Sequence, residues 1–359
     1  MSAGTTARAV QAAHAAQPGP ERQAFYRRIE PLHLAPLWEA FGTMITKEPV
    51  QQCVPHLWRY GELRAHLLEA GALITAEEAE RRVLMLENPG MPGQHCVTQS
   101  LFAGLQLVMP GEIAPCHRHS QTALRLVLEG HHAYTGVDGE RIPMARGDFI
   151  VTPAWSWHDH GNESSDPVVW MDGLDIPMVK FFGASFIERY PQEIHPETRL
   201  PGQSQANWGA NLRPAGRAGT GAGRNPLWHY PYARTRDALD KLRKGGEADA
   251  CHGFRMQYVN PADGGYAIAT MATFIQLLPK GFSGETYRST DGTVFCCLEG
   301  RGTTEIAGRR CAWGPSDIFV APPWHPYRHE TQEEAVLFSF SDRAVQEKIG
   351  LWRERVGTD

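Results

Sequence analysis

A chain of 359 residues is long enough for two ordinary hydrophobic cores or one large one. With 42% apolar and 21% charged residues and a formal net charge of −5, it reads as globular, with no electrostatic reason to bind nucleic acid or an acidic membrane surface. No apolar run reaches the roughly 20 residues of a membrane span, the amino terminus lacks a basic-then-apolar leader, and seven cysteines without C-x-x-C spacing speak against a disulfide framework or a zinc ribbon, so a cytoplasmic protein with reduced thiols is expected.

Residues 1 to about 20, rich in Ala, Gln and Gly without a helical apolar stripe, read as a flexible arm. From Pro36 to Gly71 the pattern is helical in pieces, and Thr75 followed by Glu78 resembles a capping box opening "TAEEAERR". The period then shortens. From "RVLMLENPG" onward, short apolar runs end at Gly, Pro, Asn or Asp about every ten residues, as in a sandwich or barrel of antiparallel strands. Residues Gln203 to Asn225 read as a linker or long loop; their "GTGAG" follows no strand and precedes no Lys-Ser/Thr, so it is no phosphate loop.

An internal repeat organises the rest. "LQLVMPGEIAPCHRHSQTALRLVLEG" aligns without gaps on "IQLLPKGFSGETYRSTDGTVFCCLEG", and "GDFIVTPAWSWHDHGN" on "SDIFVAPPWHPYRHET". Gly111 pairs with Gly281, Gly130 with Gly300, Asp148 with Asp317 and Trp155 with Trp324, which implies one β-fold present twice. His117, His119 and His158 face Tyr287, Ser289 and Tyr327, so the fold can be specified without those three histidines.

Side chains repeat their direction every second residue in a strand, so His117 and His119 share a face and can chelate one ion. His158, beyond the turn in "PAWSW", is the candidate third ligand. Neutral imidazoles suit Fe(II), Zn(II), Cu(II), Ni(II) or Mn(II). Cys116 points to the opposite strand face and is no ligand.

These positions resemble the cupin superfamily. Gly111, His117, His119 and Gly130 fit its first motif, and Gly147, Pro153, His158 and Asn162 its second, with Trp155 in place of a glycine. The motif glutamate falls at Ala123, leaving three histidines and about three open coordination positions for a bidentate anionic substrate and O2. "HRHSQTALRLVLEG", "WHDHGN" and "MDGLDIP" further resemble the gentisate 1,2-dioxygenases, a family that includes salicylate and 1-hydroxy-2-naphthoate dioxygenases. The resemblance spans about Phe25 to Phe340. It implies a mainly β fold, a bicupin of two double-stranded β-helix (jelly-roll) barrels behind a helical amino-terminal segment. The expected divisions are an arm and helices at 1–80, a metal-bearing barrel at 81–200, a linker and helix at 201–250, a barrel without ligands at 251–345 and a tail at 346–359.

The resemblance also implies Fe(II), cleavage of gentisate by O2 to maleylpyruvate, and a homotetramer; salicylate and 1-hydroxy-2-naphthoate are the alternative substrates. Salicylate-type acids offer a carboxylate and an ortho oxygen that together chelate a metal, which then serves as template and electron path. Arg125 shares the parity of His117 and His119 and can hold the carboxylate bidentately; the second copy has Phe295 there. His160 is a candidate acid or base, although its counterpart His329 shows that a histidine can stand there for structural reasons. Gln106, with Gln276 as counterpart, and Asp172, favoured over Asp175, are candidate substrate contacts, and Arg81 and Arg82 could reach the cavity mouth. Trp155, Trp157 and Trp170 are assigned to packing. A three-histidine zinc hydrolase and a non-catalytic ligand-binding bicupin are the competing readings.

Overall fold

A run such as "ALRLVLE" is apolar on both faces and needs two covers. The computed structural model describes residues 18–212, 214–215 and 224–357; the expected arm up to Gln17 and the "GTGAG" stretch lie outside them. In the strand Ala123–Glu129, the alternation sends Ala123, Arg125 and Val127 into the first barrel, where Val127 joins its interior core. Leu124, Leu126 and Leu128 join a core shared with the second barrel.

The first barrel is built from two antiparallel sheets. One has six strands in the order His229–Tyr230, Phe149–Thr152, Ala123–Glu129, Val168–Leu174, Phe102–Val108 and Val83–Met85. The other has five, in the order Ile187–Arg189, Ile113–His119, His158–Asn162, Ala133–Val137 and Glu140–Met144. The second barrel repeats the plan. Its six-stranded sheet runs His56–Trp58, Ile318–Ala321, Thr293–Glu299, Ala335–Ser341, Ala272–Leu278 and Phe254–Gln257, and its five-stranded sheet Arg309–Trp313, Gly302–Ile306, Tyr327–Thr331, Tyr287–Ser289 and Glu354–Val356.

The two barrels exchange elements. His56–Trp58, ahead of the first barrel, pairs with Ile318–Ala321 of the second, whereas His229–Tyr230, ahead of the second, pairs with Phe149–Thr152 of the first. Each exchanged strand leads into a 14-residue helix, Tyr60–Leu73 or Tyr232–Gly245. The Tyr60 N–H donates to Asp317 at 2.9 Å and the Tyr232 N–H to Asp148 at 2.8 Å; Arg64 pairs with Glu129 and Arg236 with Glu299. Ser100 donates to Asp342 and Thr270 to Asp175 in the same reciprocal way. The repeat therefore begins well before the aligned blocks, and the second barrel packs on the first. Phe149 and Phe338 meet at 5.5 Å across the shared core. At Gly173 a Cβ would stand 2.8 Å from Phe340 and 2.9 Å from Leu124, so this close approach of the barrels requires glycine.

Two local expectations change. Thr75 Oγ1 does cap the Glu78 N–H, but the helix ends at Ala79 because Glu80 turns to φ 52°. Within the expected loop, Gln203–Trp208 is a helical turn and a half, tied down where Glu140 accepts the Ser204 N–H and hydroxyl. The described residues 18–50 belong to a separate unit. In its described part, helices Pro20–Ile29 and Leu37–Met44 are joined by a Trp38 Nε1–H bond to the Tyr26 hydroxyl.

Candidate metal centre and its cavity

His117 and His119 end the strand Ile113–His119 on one face. A bulge after Ala114 shifts the register, so Ala114 lies opposite His160 while His117 lies opposite His158. The turn that delivers His158 is closed by the Trp155 N–H donating to the His119 carbonyl at 2.8 Å, with Trp155 at φ 62°. One nitrogen from each of the three rings lies within 4.8 Å of the others. The ring centroids stand 5.3, 4.5 and 4.8 Å apart.

The donor set fits a divalent transition metal. His119 Nδ1–H donates to the Gln121 carbonyl and His158 Nδ1–H to the Ser156 carbonyl, each at 3.0 Å, which leaves both Nε2 lone pairs free. Burial keeps the rings neutral: it lowers His117 to about 2, His119 to about 4 and His158 well below its usual value. The nearby Arg81 and Arg125 charges act in the same direction.

Arg125 is buried, donates to Thr152 Oγ1, and holds its Nε 3.6 Å from Asp172. Asp172 also accepts Trp170 Nε1–H at 3.0 Å. Burial raises the Asp172 carboxyl to about 6, against the pull of Arg125. His160 has its Nδ1 at 3.0 Å from Thr135 Oγ1 and its Nε2 buried without a partner. Gln106 Nε2 is likewise buried and unmatched, and Arg125 Nε has no hydrogen bond beyond its ion pair with Asp172. Such groups cost about 1–3 kcal/mol each unless a ligand meets them.

Arg81 donates to the Pro115 carbonyl on the histidine strand, and its charge bears on all three rings and on His160. Arg82 is not brought to the cavity: its guanidinium is bidentate on Glu112 at 2.7 and 2.8 Å and also bonds the Ile74 carbonyl. Asp175 stands at the start of helix Ile176–Phe181 without capping it; its carboxylate instead accepts the Thr122 N–H and the Thr270 hydroxyl. Trp170 is fully buried, whereas Trp155 and Trp157 flank the Arg118 guanidinium at 4.5 and 4.4 Å. Sequence reasoning missed Thr135 and Thr152, the hydroxyls that hold His160 and Arg125. Thr135 and its counterpart Thr304 lie between the aligned blocks, where the two copies share too few residues to be compared by eye.

Three neutral imidazoles, two guanidiniums and one carboxyl make a cluster suited to a metal ion and an anionic ligand. The cupin domain family model matches residues 104–176. The chain is 53% identical over 334 residues to gentisate 1,2 dioxygenase 1 of Aquipseudomonas alcaligenes, across 93% of this chain and 96% of that protein. It is 34% identical over 328 residues to a 5-aminosalicylate 1,2-dioxygenase of Comamonas sp, across 90% and 87%. The solved salicylate 1,2-dioxygenase of Pseudoaminobacter salicylatoxidans, in adducts with gentisate, matches with a TM-score of 0.90 at 32% identity, across 96% of this chain and 97% of that one.

Proposed function

The chain belongs to the gentisate 1,2-dioxygenase family of ring-cleaving dioxygenases, and on that premise we propose that it is an Fe(II) enzyme converting gentisate and O2 to maleylpyruvate. The bond between the carboxyl-bearing and the adjacent hydroxyl-bearing ring carbons breaks, and both oxygen atoms enter the product. One observation carries this reading: three metal-competent histidines and a buried Arg125 occur together in one barrel, and the other barrel lacks all four.

His117, His119 and His158 would hold the iron, which supplies a chelating template and an electron path between ring and dioxygen. Arg125 and Arg81 attract the substrate carboxylate. Asp172 keeps Arg125 oriented, and a carboxyl with its affinity for protons raised can take or give a hydrogen bond at the second ring hydroxyl. His160, anchored by Thr135, offers Nε2 to a hydroxyl, and Gln106 offers its unmatched amide. We further propose a cytoplasmic homotetramer acting in aromatic catabolism, its size to be read by light scattering.

The test is metal analysis with an oxygen-electrode screen of gentisate, salicylate and 1-hydroxy-2-naphthoate. Wild type should consume O2 with gentisate in an Fe(II)-dependent way, and His119→Ala should lose both bound iron and turnover. Iron retained with normal activity in that variant removes the ligand assignment, and zinc-dependent hydrolysis without O2 uptake removes the dioxygenase chemistry.

A further inference from the structure

The second barrel keeps part of the polar lining of the first. Gln276 stands where Gln106 stands, and His329 where His160 stands; Thr304 Oγ1 lies 2.7 Å from His329 Nδ1, as Thr135 holds His160. Both amide atoms of Gln276 and Nε2 of His329 are fully buried without a hydrogen-bond partner. A barrel retained for packing alone gains nothing from burying them.

The place of the ion is filled. Tyr287 and Tyr327, which replace His117 and His158, stand 5.6 Å apart, and His252 packs 4.6 Å from Tyr287. The cation has moved too. Phe295 occupies the place of Arg125, while Arg255, on the edge strand Phe254–Gln257, lies in register beside Gln276, where the first barrel has Val83 beside Gln106. The Arg255 guanidinium lies 3.8 Å over the Phe274 ring, and its Nε is buried and unmatched. Arg255, Arg343, Phe274 and His252 line a cleft of about 380 Å³, room for a single-ring acid. His252 is 8% exposed with Nδ1 unpartnered. Arg343 already bonds Glu347, and of the two acids on the rim, Asp249 is engaged by the Cys251 and His252 N–H groups. Arg255 is thus the cation available to a ligand.

We propose that this cleft is a second, metal-free binding site for a small aromatic carboxylate, clamped by Arg255 and bordered by His252 and Phe274. The ligand class, though not the presence of the site, rests on the aromatic-acid reading of the first barrel. Binding of 4-fluorobenzoate, which lacks the ortho hydroxyl needed for ring cleavage, to the iron-loaded protein is measured by equilibrium dialysis and fluorine NMR. Wild type should bind two molecules per chain. Arg255→Gln should bind one, with turnover of gentisate unchanged within about twofold, and Arg125→Met should still bind one. His252→Leu should weaken the second site at least tenfold without lowering the melting temperature, a combination that a purely structural histidine would not give. The proposal is overturned if Arg255→Gln binds as much as wild type or if Arg125→Met binds none. These readouts stand whether or not gentisate is cleaved, so failure of the second site and failure of the enzymatic reading are separate results.

Discussion

Trp155 stands at the position where the cupin motif carries glycine and adopts φ 62°, a left-handed conformation costing a side-chain-bearing residue roughly 1–2 kcal/mol. Its ring offsets that cost through Arg118, 4.5 Å from its face, and Phe186, at a centroid distance of 4.5 Å. Trp324 repeats the conformation at φ 61° beneath Arg288. Removing the ring while keeping a Cβ should therefore be worse than removing both. In urea unfolding, Trp155→Ala is expected to be less stable than Trp155→Gly by about 1 kcal/mol; equal midpoints would show that the turn is not strained. His117 and His119 were legible from strand parity, and His158 from the repeat and the second motif. Arg81 and Arg82 were not separable in sequence, since only the position of Glu112, thirty residues on, decides which guanidinium is already engaged.

At the scale of elements, the aspartates that open two equivalent strands receive partners from the opposite half of the chain. Asp148 accepts the Tyr232 N–H and pairs with His229 Nε2 at 2.8 Å; Asp317 accepts the Tyr60 N–H and pairs with Arg59 at 3.0 Å. Loss of either carboxylate leaves buried donors unmatched, so Asp148→Ala and Asp317→Ala should each cost about 1–3 kcal/mol in chemical denaturation. Their effects on catalysis should differ. Asp148 leads into Phe149–Thr152, whose Thr152 holds Arg125, so only its loss is expected to raise KM for gentisate. Matching kinetics in the two variants would disconnect that strand from substrate binding. The repeat made the pairing of Asp148 with Asp317 legible, along with the strand rhythm and the β class. The exchange of strand and helix was not, because His56–Trp58 finds its partner more than 250 residues away and local periodicity carries no information about such a contact.

For the whole molecule, the exchanged contacts join the two barrels into one compact unit, and one of them is a pH-sensitive joint. Asp342 accepts the Ser100 hydroxyl from the segment ahead of the first barrel, the Gly292 N–H and the Gln346 amide. Burial, with the neighbouring Asp291 charge adding to it, raises Asp342 to about 6 from an ordinary 3.8. The folded chain thus binds this proton more tightly than the unfolded one. The stabilisation is fully present below about pH 4, fades as pH rises through 6, and amounts to about 3 kcal/mol at most. Its counterpart Asp175 is raised by burial as well, with Thr270 and Thr122 holding it down, so the wild-type melting curve mixes several groups. A difference isolates one of them. An amide cannot ionise, and like the protonated carboxyl it keeps one acceptor oxygen for the Gly292 N–H while its Nδ2–H can donate to the Ser100 hydroxyl oxygen, so the melting temperature of Asp342→Asn relative to wild type should rise between pH 4 and pH 6 and level off above. A difference that stays flat across that window would mean the carboxyl is already ionised at pH 4 and that the joint between the barrels carries its charge throughout.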